Sequence, residues 1–446
     1  MFPLGKLLHA LEGAGAMDRR RFLGGLAATG LAAGLSTDSR AARNEGPRGA
    51  TFDAADFGAR GDGQADDSAA LQKAIDAAAK GGGVVWLGRG AYRLRSPIHV
   101  RPGVTLRGTF GSVPAHNGFR DAGLPRPGET GTVLLADCGS GSEDGPALIT
   151  VETNATLAGL CVHHPGIRSD EEPRPHPYAV ALRGKNPALL DVELLNPYQG
   201  VDASQNERHL IRNVHGQPIR RGVFVDAIYD IGRIENVHFN PWYSMHPKLF
   251  QWQMEHGEAF VFGRTDWQYV LNTFCFGYSV GYRFVETKNG VCNGNFLGIG
   301  ADDCWTAMVV DQCAPMGLLV TNGEFVSFHG PDPTMVEIRP TNSGTVRFAN
   351  CAFWGPCRQI AKVGGKGVVG FSDCTFVQWD FPRRGTPAIQ AEGEGMLFVR
   401  GCSFQQAGVG LRVGPRLAGV SVEGNLGPAG FVLRRDGQSG SEGVNG

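Results

Sequence analysis

Three acidic residues recur at nearly the same position in successive copies of a repeated sequence unit. Measured back from the last residue of the tetrad that closes each unit, Glu207 and Asp230 lie nine residues earlier and Asp266 lies eight residues earlier. If the units stack as neighbouring strands, about 4.8 Å apart, the three carboxyl groups form one column. Like charges at that distance raise the pKa of one member, which then keeps its proton near neutral pH. A protonated carboxyl beside an ionised one is the pair that cleaves glycosidic bonds, so we expect these residues to share acid, base or nucleophile roles.

Other acids in the same segment are substitutes for these roles. Asp226 lies four residues before Asp230 in the same unit. Asp302 and Asp303 are adjacent, and because neighbouring residues of a strand point to opposite faces, only one of the two is expected to serve. We assign Asp303. The sequence leaves open whether the acting pair is separated by roughly 5 Å, for retention, or by roughly 6.5 to 9.5 Å, for inversion.

Basic and aromatic side chains crowd the segment that holds the acids. The basic residues predict either substrate contact, which would favour an acidic sugar, or a salt-bridge network that neutralises the carboxylates; the sequence leaves both open. Aromatic rings offer flat faces to a sugar, although Trp267 could equally point into a core. The expected substrate-binding residues are Arg208, His209, Arg233, Trp242, Trp252, Trp267, Tyr269 and Trp305.

The repeated unit ends in a tetrad whose last residue is in most cases Phe. The eight tetrads are Asn213-Val214-His215-Gly216, Asn236-Val237-His238-Phe239, Leu271-Asn272-Thr273-Phe274, Asn293-Gly294-Asn295-Phe296, Asn322-Gly323-Glu324-Phe325, Asn350-Cys351-Ala352-Phe353, Asp373-Cys374-Thr375-Phe376 and Gly401-Cys402-Ser403-Phe404. Their last residues are 22 to 35 positions apart, which is typical of one coil of a solenoid. In such a coil the last residue fills the interior and the Asn, Asp or Gly marks the bend. We therefore predict an all-β solenoid, with an ordinary β-sandwich as the alternative.

The composition excludes several classes of function. The chain has 446 residues, and its 66 Gly and 26 Pro are spread along its length, which fits a fold with frequent turns. The formal net charge is −1, and none of the recognisable nucleic-acid-binding motifs occurs. We therefore predict no nucleic-acid partner.

The cysteines predict core packing in preference to cross-links. Ten cysteines in an exported chain are compatible with disulfides. However, Cys351, Cys374 and Cys402 occupy the same tetrad position in successive units, so we expect a stacked column of buried free thiols. No CxxC pair or Cys/His spacing is typical of zinc, and we predict neither a metal nor a cofactor.

Residues 1–42 have the three parts of an export signal. Arginines at 19–21, weakly apolar residues 24–35 and small residues that end at Ala42 match a twin-arginine signal with a cleavage site. Met17 is the expected start. The alternative to an export signal is a cytosolic basic N-terminus. No other segment has the roughly 18 apolar residues that a membrane span needs. The mature protein is therefore expected in the periplasm or secreted, away from the membrane once the signal is removed.

The chain after this signal opens with a distinctive order of residues. Ala55-Asp56-Phe57-Gly58-Ala59-Arg60-Gly61-Asp62-Gly63 begins it, and a helix with the apolar stripe Leu71, Ala74, Ile75 and Ala78 should follow, capped by Asp66 or Asp67. Strands are expected at 84–87, 92–94 and 104–108. This order resembles the N-terminus of the pectate lyase and family 28 glycosidase-like superfamily. The resemblance implies a right-handed parallel β-helix that acts on glycans, with the helix covering its first coil. The Gly-His-Gly and Arg-Ile-Lys tripeptides of polygalacturonases are absent.

Long irregular loops in the segment 114–177 hold four histidines. Loops of this length usually build the walls of a groove. We expect His116, His163, His164 and His176 to be solvated or turn residues, because nothing in the sequence pairs them with a carboxylate.

These features predict a single β-helix domain over residues 51–435 with a flexible tail at 436–446. We expect an exported carbohydrate-active enzyme that cleaves or rearranges glycosidic bonds of a poly- or oligosaccharide through paired carboxylates. A polysaccharide lyase that acts on a uronate-containing glycan is one alternative, and a non-catalytic glycan-binding β-helix is another. Side-by-side association into a homo-oligomer is compatible with such a solenoid.

Overall fold

The computed structural model describes residues 50–116, 123–437 and 441–443. The predicted signal region, residues 1–42 with the start at Met17, lies outside these residues. Within them, the helices are too short and too polar to cross a membrane.

The described residues form many short strands and few helices. The short 3-10 helix is Ala54–Phe57, and the α-helices are α1 (Ser68–Ala78) and α2 (Pro247–His256). In chain order the strands are β1 (Ala50–Asp53), β2 (Asp62–Asp66), β3 (Gly83–Trp86), β4 (Gly90–Leu94), β5 (Ile98–Val100), β6 (Val104–Arg107), β7 (Thr132–Ala136), β8 (Ile149–Val151), β9 (Thr156–His163), β10 (Tyr178–Leu182), β11 (Gly184–Lys185), β12 (Ala188–Leu194), β13 (Gln199–Ser204), β14 (Asn206–Glu207), β15 (Leu210–Gly216), β16 (Arg221–Asp226), β17 (Arg233–Phe239), β18 (Glu258–Phe262), β19 (Thr265–Leu271), β20 (Phe274–Phe276), β21 (Val280–Phe284), β22 (Cys292–Leu297), β23 (Gly300–Asp302), β24 (Thr306–Val310), β25 (Leu318–Thr321), β26 (Glu324–Phe325), β27 (Thr334–Ile338), β28 (Thr345–Ala349), β29 (Ala352–Phe353), β30 (Gln359–Val363), β31 (Val368–Ser372), β32 (Thr375–Phe376), β33 (Ile389–Ala391), β34 (Met396–Arg400), β35 (Ser403–Phe404), β36 (Leu411–Val413), β37 (Gly419–Glu423), β38 (Val432–Arg435) and β39 (Ser441–Gly443).

The strands stack into three parallel faces. Face A contains β1, β3, β6, β9, β12, β15, β17, β19, β22, β25, β28, β31, β34 and β37. Face B contains β5, β8, β10, β13, β16, β18, β21, β24, β27, β30, β33, β36 and β38. Face C contains β2, β4, β7, the second halves of β9, β12, β15 and β17, and then β20, β23, β26, β29, β32 and β35. The predicted fold class, an all-β right-handed parallel β-helix with a capping helix, is confirmed.

The bend between face A and face C is made by residues in the left-handed conformation, which Asn and Asp tolerate better than other residues with a Cβ. These residues are Asp191, Asn213, Asn236, Asn272, Asn322, Asn350 and Asp373, with φ between 50° and 56°. Their side chains join successive coils: Nδ2 of Asn236 donates to Oδ1 of Asn213 at 2.8 Å, and Asn350 donates to Asn322 at 2.8 Å. The predicted Asn and Asp column at the bend is thus confirmed.

The interior of the C-terminal coils is a column of stacked rings. Phe325, Phe353, Phe376 and Phe404 are fully buried or nearly so, and successive ring centroids lie 4.6 to 5.3 Å apart. Each of these rings stands three residues after its bend residue. The buried free thiols predicted beside them, at Cys351, Cys374 and Cys402, are also found.

Two of the predicted tetrads are in the wrong register. Asn272 is a bend residue, so the interior residue three positions later is the buried Cys275, whereas Phe274 lies on the outer side of face C. In the next coil the bend is Gly298, and Phe296 belongs to face A. The pattern chose Phe274 because it lies one residue before the interior Cys275, and it chose Phe296 because this ring is also buried, although it comes from face A.

Helix α1 closes the N-terminal end of the β-helix. Its predicted stripe is fully buried at Leu71, Ala74, Ile75 and Ala78, and the helix packs against β1, β3 and β5. The carboxylate of Asp66 accepts the first helical N–H at 3.0 Å, so the predicted cap is confirmed at this residue.

Two long segments that follow face C fold back over its outer side. Segments 164–177 and 240–257 form a second apolar cluster there, separate from the interior of the β-helix. The cluster consists of Val133, Leu135, Cys161, Ile167, Leu195, Tyr198, Ile219, Tyr243 and Leu249. At the C-terminus, β39 pairs antiparallel with β38, so part of the predicted flexible tail, 436–446, forms a strand.

Candidate active site

Two of the three predicted carboxylates meet on one basic side chain. Glu207 and Asp230 lie in successive turns between face B and face A, and the guanidinium of Arg208 contacts both. Its Nη1 lies 3.5 Å from Oε2 of Glu207 and is hydrogen-bonded to Asp230. Nζ of Lys185 lies 3.4 Å from the same Glu207 oxygen. Of the two roles that the sequence left open, substrate contact or neutralisation of the carboxylates, the contacts of Arg208 fit neutralisation.

The remaining acids of this segment are also held by partners. Asp266 does not join the pair, because its two oxygens accept hydrogen bonds at 2.6 and 2.8 Å from Arg264. Asp226 is buried, and it accepts hydrogen bonds at 2.7 to 2.8 Å from the Arg264 backbone and from Thr287 and Asn289. Their catalytic roles stay a prediction that these bonds do not favour, since the carboxylate oxygens are already occupied by protein donors.

One predicted substrate-binding residue is contradicted by the structure. His209 is completely buried, and its Nδ1 is hydrogen-bonded to Oδ1 of Asn206 at 2.9 Å. Burial lowers its pKa to about 3, so the imidazole is neutral. A polysaccharide cannot reach this side chain, because the turn folds it inward.

The other predicted substrate-binding residues do not form one surface. Arg233 and Tyr269 are paired neighbours on face A, and Trp267 is an exposed ring near the start of β19. Trp252 lies on α2, with its ring 5.7 Å from Tyr198. Trp242 and Trp305, by contrast, both lie beside face C, where the rest of the site is found.

The outer side of face C carries a row of side chains that are not among the predicted site residues. In register across five strands it presents Cys161, Glu193, His215, His238 and Phe274. Neighbouring members are one strand spacing apart, about 4.8 Å. A sequence signal existed, since the two histidines hold the same position of successive tetrads.

The two histidines of this row lie under an aromatic ring. The ring centroid of Trp242 is 5.7 Å from that of His215 and 4.7 Å from that of His238. Burial lowers the pKa of His215 and lowers that of His238 to about 4. Nε2 of His238 is buried and has no hydrogen-bond partner in the described part of the chain. Both rings are therefore neutral at pH 7, the form that accepts a proton.

Further along face C stands a pair of adjacent carboxyl groups. Asp302 ends β23 in register with Phe276 on the outer side of the face. Asp303 follows with φ of 53°, so the alternation of strand sides is interrupted. Its carboxylate is hydrogen-bonded to Nδ1 of His329 in the loop of the next coil. The left-handed residue interrupts the strand alternation on which the choice of one acid rested, and the catalytic role of Asp303 stays a prediction.

Both members of this pair have an unusual pKa. Burial raises the pKa of Asp302, and the charge of Asp303 adds to the rise. Burial also raises the pKa of Asp303, although the hydrogen bond and charge of His329 oppose it. Every other described carboxyl group whose pKa departs from its ordinary value has it lowered. A raised pKa beside a like charge is the mark of an acid and base pair.

A glycine and a tryptophan fix the loop that carries His329. Gly330 has φ of +95°, and a Cβ built there would lie 2.5 Å from Cγ of Trp305. The ring of Phe328 contacts that of His329 at 4.7 Å between centroids. The indole, which was predicted to bind substrate, therefore packs under this loop.

A basic groove of about 800 Å³ lies on face B of the C-terminal coils. Asp332, in the loop of His329, is held by Arg358 at 2.8 Å and by Lys362, two residues of this groove. Seven basic residues and three glutamates line it, and six of the seven basic residues form ion pairs with those glutamates or with neighbouring aspartates. The basic residues are Arg339, Arg358, Lys362, Lys366, Arg384, Arg412 and Arg416.

Comparison with known proteins bears on the fold and on the N-terminal part. Residues 51–127 match the family model described as rhamnogalacturonase A/epimerase, pectate lyase-like. A stretch of 46 residues is 61% identical to mannuronan C5-epimerase AlgE1 of Azotobacter vinelandii. It covers 10% of this chain and 3% of that protein, so the match spans a small part of its curated relative.

Two solved structures share the architecture along most of the chain. The surface adhesin PfbA of Streptococcus pneumoniae superposes with a TM-score of 0.50 at 14% identity, over 88% of this chain and 94% of that one. The N-terminal fragment of gene product 12 of bacteriophage Phi29 gives a TM-score of 0.54 at 13% identity, over 84% and 66%. At this identity the likeness shows the fold alone. With the family-model match, it confirms the resemblance to the pectate lyase-like β-helices that residues 55–108 predicted.

Proposed function

We propose that the protein is a carbohydrate-active enzyme that cleaves glycosidic bonds on the outer side of face C. The observation that carries the proposal is the pair Asp302 and Asp303, whose pKa values burial raises. Asp302 is the more exposed of the two and supplies the proton to the leaving oxygen. Asp303, which is hydrogen-bonded to His329, acts as its ionised partner.

The surroundings of the pair support a sugar substrate. Asp302 lies beside Phe276 of the neighbouring strand, and Phe274 lies beside Gly300 on the same side of face C. Aromatic rings beside carboxyl groups provide the flat apolar contacts that sugar rings need. The family model that matches residues 51–127 is named for a glycan-modifying enzyme. The twin-arginine sequence suggests that the substrate is met outside the cytoplasm.

A second candidate function is elimination or epimerisation at a uronate. Both reactions begin when a base removes a proton next to the carboxylate, and a neutral imidazole is suited to this step. The neutral ring of His238, covered by Trp242, favours this reading, as does the local match to a mannuronan C5-epimerase.

The test is to incubate the full-length protein with a panel of neutral and acidic polysaccharides. Three quantities are followed: new reducing ends, the absorbance of unsaturated products, and product mass and stereochemistry. Reducing ends without absorbance support hydrolysis, absorbance supports elimination, and inverted uronates without chain cleavage support epimerisation. Binding without any product would refute both proposals and leave a glycan-binding β-helix.

A further inference from the structure

Side chains that bind transition metals converge at the N-terminal end of the row on face C. Strands β9, β12 and β15 present Cys161, Glu193 and His215 side by side in register. His116 reaches the same place from the overlying segment 109–116 and bonds to the glutamate between the other two. The four side chains supply one thiol, one carboxylate and two imidazoles.

Three of these groups are already within reach of a single ion. Nδ1 of His116, Sγ of Cys161 and a carboxylate oxygen of Glu193 all lie within 4.8 Å of one another. Nδ1 of His116 is 2.5 Å from Oε2 of Glu193, and its backbone N–H donates to Oε1 at 3.0 Å. All three side chains are almost completely buried. Zinc binds such donors at about 2.0 to 2.3 Å, so small side-chain shifts close the site.

The far nitrogen of His116 has the partner that a metal ligand usually has. Its Nε2 faces the backbone oxygen of Thr130 at 3.4 Å. A metal-bound histidine typically donates its other ring N–H to a carbonyl or a carboxylate, which fixes the tautomer. With the proton on Nε2, the lone pair of Nδ1 points at Glu193, where an ion would take the place of a shared proton.

His215 completes the set from the next strand. It is the in-register neighbour of Glu193 on the same outer side, about one strand spacing away. Its ring is half-buried, beside Trp242 at 5.7 Å, and its nitrogens take part in none of the hydrogen bonds found among the described residues. A neutral imidazole in this position is available as a fourth ligand.

We propose that His116, Cys161, Glu193 and His215 bind one zinc ion. The mixture of nitrogen, sulfur and oxygen donors suits zinc, whereas calcium and magnesium prefer oxygen ligands alone. Binding releases the thiol proton of Cys161 and the proton shared by His116 and Glu193 to solvent.

Four protein ligands leave no open position, so the ion would serve as a structural clamp. It would tie segment 109–116 to face C. The zinc site shares no residue with the pair Asp302 and Asp303. The zinc proposal therefore does not depend on the proposed cleavage of glycosidic bonds.

The test begins with the full-length protein freed of metal by a chelator and titrated with Co²⁺. We expect one equivalent to produce the visible bands of a tetrahedral site together with a thiolate-to-cobalt charge-transfer band in the near ultraviolet. One equivalent of Zn²⁺ should displace the cobalt and raise the Tm. Absence of saturable binding at one equivalent would overturn the proposal, as would a cobalt spectrum without a charge-transfer band.

Two variants identify the ligands. Cys161→Ser should lose the charge-transfer band, and the control Cys138→Ser, which removes a half-buried thiol outside the cluster, should keep it. If Cys161→Ser does not fold, as judged by circular dichroism, His215→Asn decides, because it changes a half-buried ring. The His215→Asn variant should retain the charge-transfer band, show altered visible bands and bind cobalt at least 10-fold more weakly. An unchanged spectrum and affinity in the informative variant would refute the assignment.

Discussion

The carboxylate of Asp303 is hydrogen-bonded to Nδ1 of His329, which belongs to the loop of the following coil. The contact ties two coils together at the point where face C ends and its outer loops begin. It also makes the surroundings of the two adjacent carboxyl groups different, since Asp302 has no such partner among the described residues. The same burial thus leaves one carboxyl group easier to protonate than the other.

We predict that Asp302→Asn and Asp303→Asn each lower kcat on a cleaved polysaccharide by about 100- to 10,000-fold. The reason is that a positioned general acid or base typically contributes this factor. The measurement is the initial rate of reducing-end formation at saturating substrate, with circular dichroism to show that the fold is kept.

The matched control is Asp76→Asn. It removes an exposed carboxylate of α1 that pairs with Arg101, and it should retain full activity. If Asp302→Asn kept more than a tenth of the rate while Asp230→Asn or Asp266→Asn lost a hundredfold, the acting carboxylates would be those of the turn between faces B and A.

The loop that carries His329 gives a second prediction. Gly330→Ala should lower activity at least 10-fold with the β-helix intact, because the new methyl group would lie 2.5 Å from the ring of Trp305. Gly58→Ala is the control: that glycine has φ of +94°, against +95° at Gly330, but open space around its Cβ position. Both substitutions strain the backbone, so only the clash differs. Equal activities for the two variants would show that the position of His329 does not matter.

The repeat and the bend could be predicted from the sequence because they depend on local rules. The capping stripe on α1 and the Asn column follow from helical periodicity and from the tolerance of Asn for positive φ. The register failed at Phe274, which stands one residue before the interior Cys275, and at Phe296, a buried ring that comes from face A and not from face C.

The candidate site was harder to predict, because side-chain partners across coils depend on loops of unequal length. Asp303 was chosen as an acid, but its pairing with His329 depends on a loop that spans residues 326–333. The loop histidines were expected to be solvated, and His116, His164 and His176 are instead buried. Burial of these rings comes from the packing of distant insertions over face C, which no local pattern encodes.

The Asn ladder gives a third prediction, for stability. Asn350→Gly should cost about 1 kcal/mol, because it keeps the φ of 51° but loses the 2.8 Å hydrogen bond to Asn322. Asn350→Ala should cost about 2 to 3 kcal/mol, because an alanine is also strained in this conformation. The denaturant midpoints should therefore rank wild type, glycine variant and alanine variant in falling order. Equal midpoints for the two variants would show that the bend conformation contributes nothing.

Acid sensitivity gives a fourth prediction. Burial lowers the pKa of His163 from 6.5 to about 4, and Nδ1 of this ring is hydrogen-bonded to Asn196 at 2.9 Å. A lowered pKa in the folded state contributes stability above pH 6.5 that is lost as the pH falls through about 4, up to about 3 kcal/mol for this residue. His163→Gln, which does not titrate, should lose less stability between pH 7 and pH 4 than wild type does. The exposed His256→Gln is the control, and an identical pH dependence in all three proteins would contradict the assignment.

The carboxyl group proposed as the acid should itself lower the stability of the native state at neutral pH. Because burial raises the pKa of Asp302, the folded state binds its proton more tightly than the unfolded state does. Its contribution to stability is therefore complete below the unfolded pKa of 3.8 and is lost as the pH rises through the folded pKa. Asp302→Asn should then have a higher Tm than wild type at pH 7 and the same or a lower Tm at pH 3. A variant that loses activity and gains stability at pH 7 has lost a group kept for chemistry, whereas a fall in both would mean that Asp302 serves the fold.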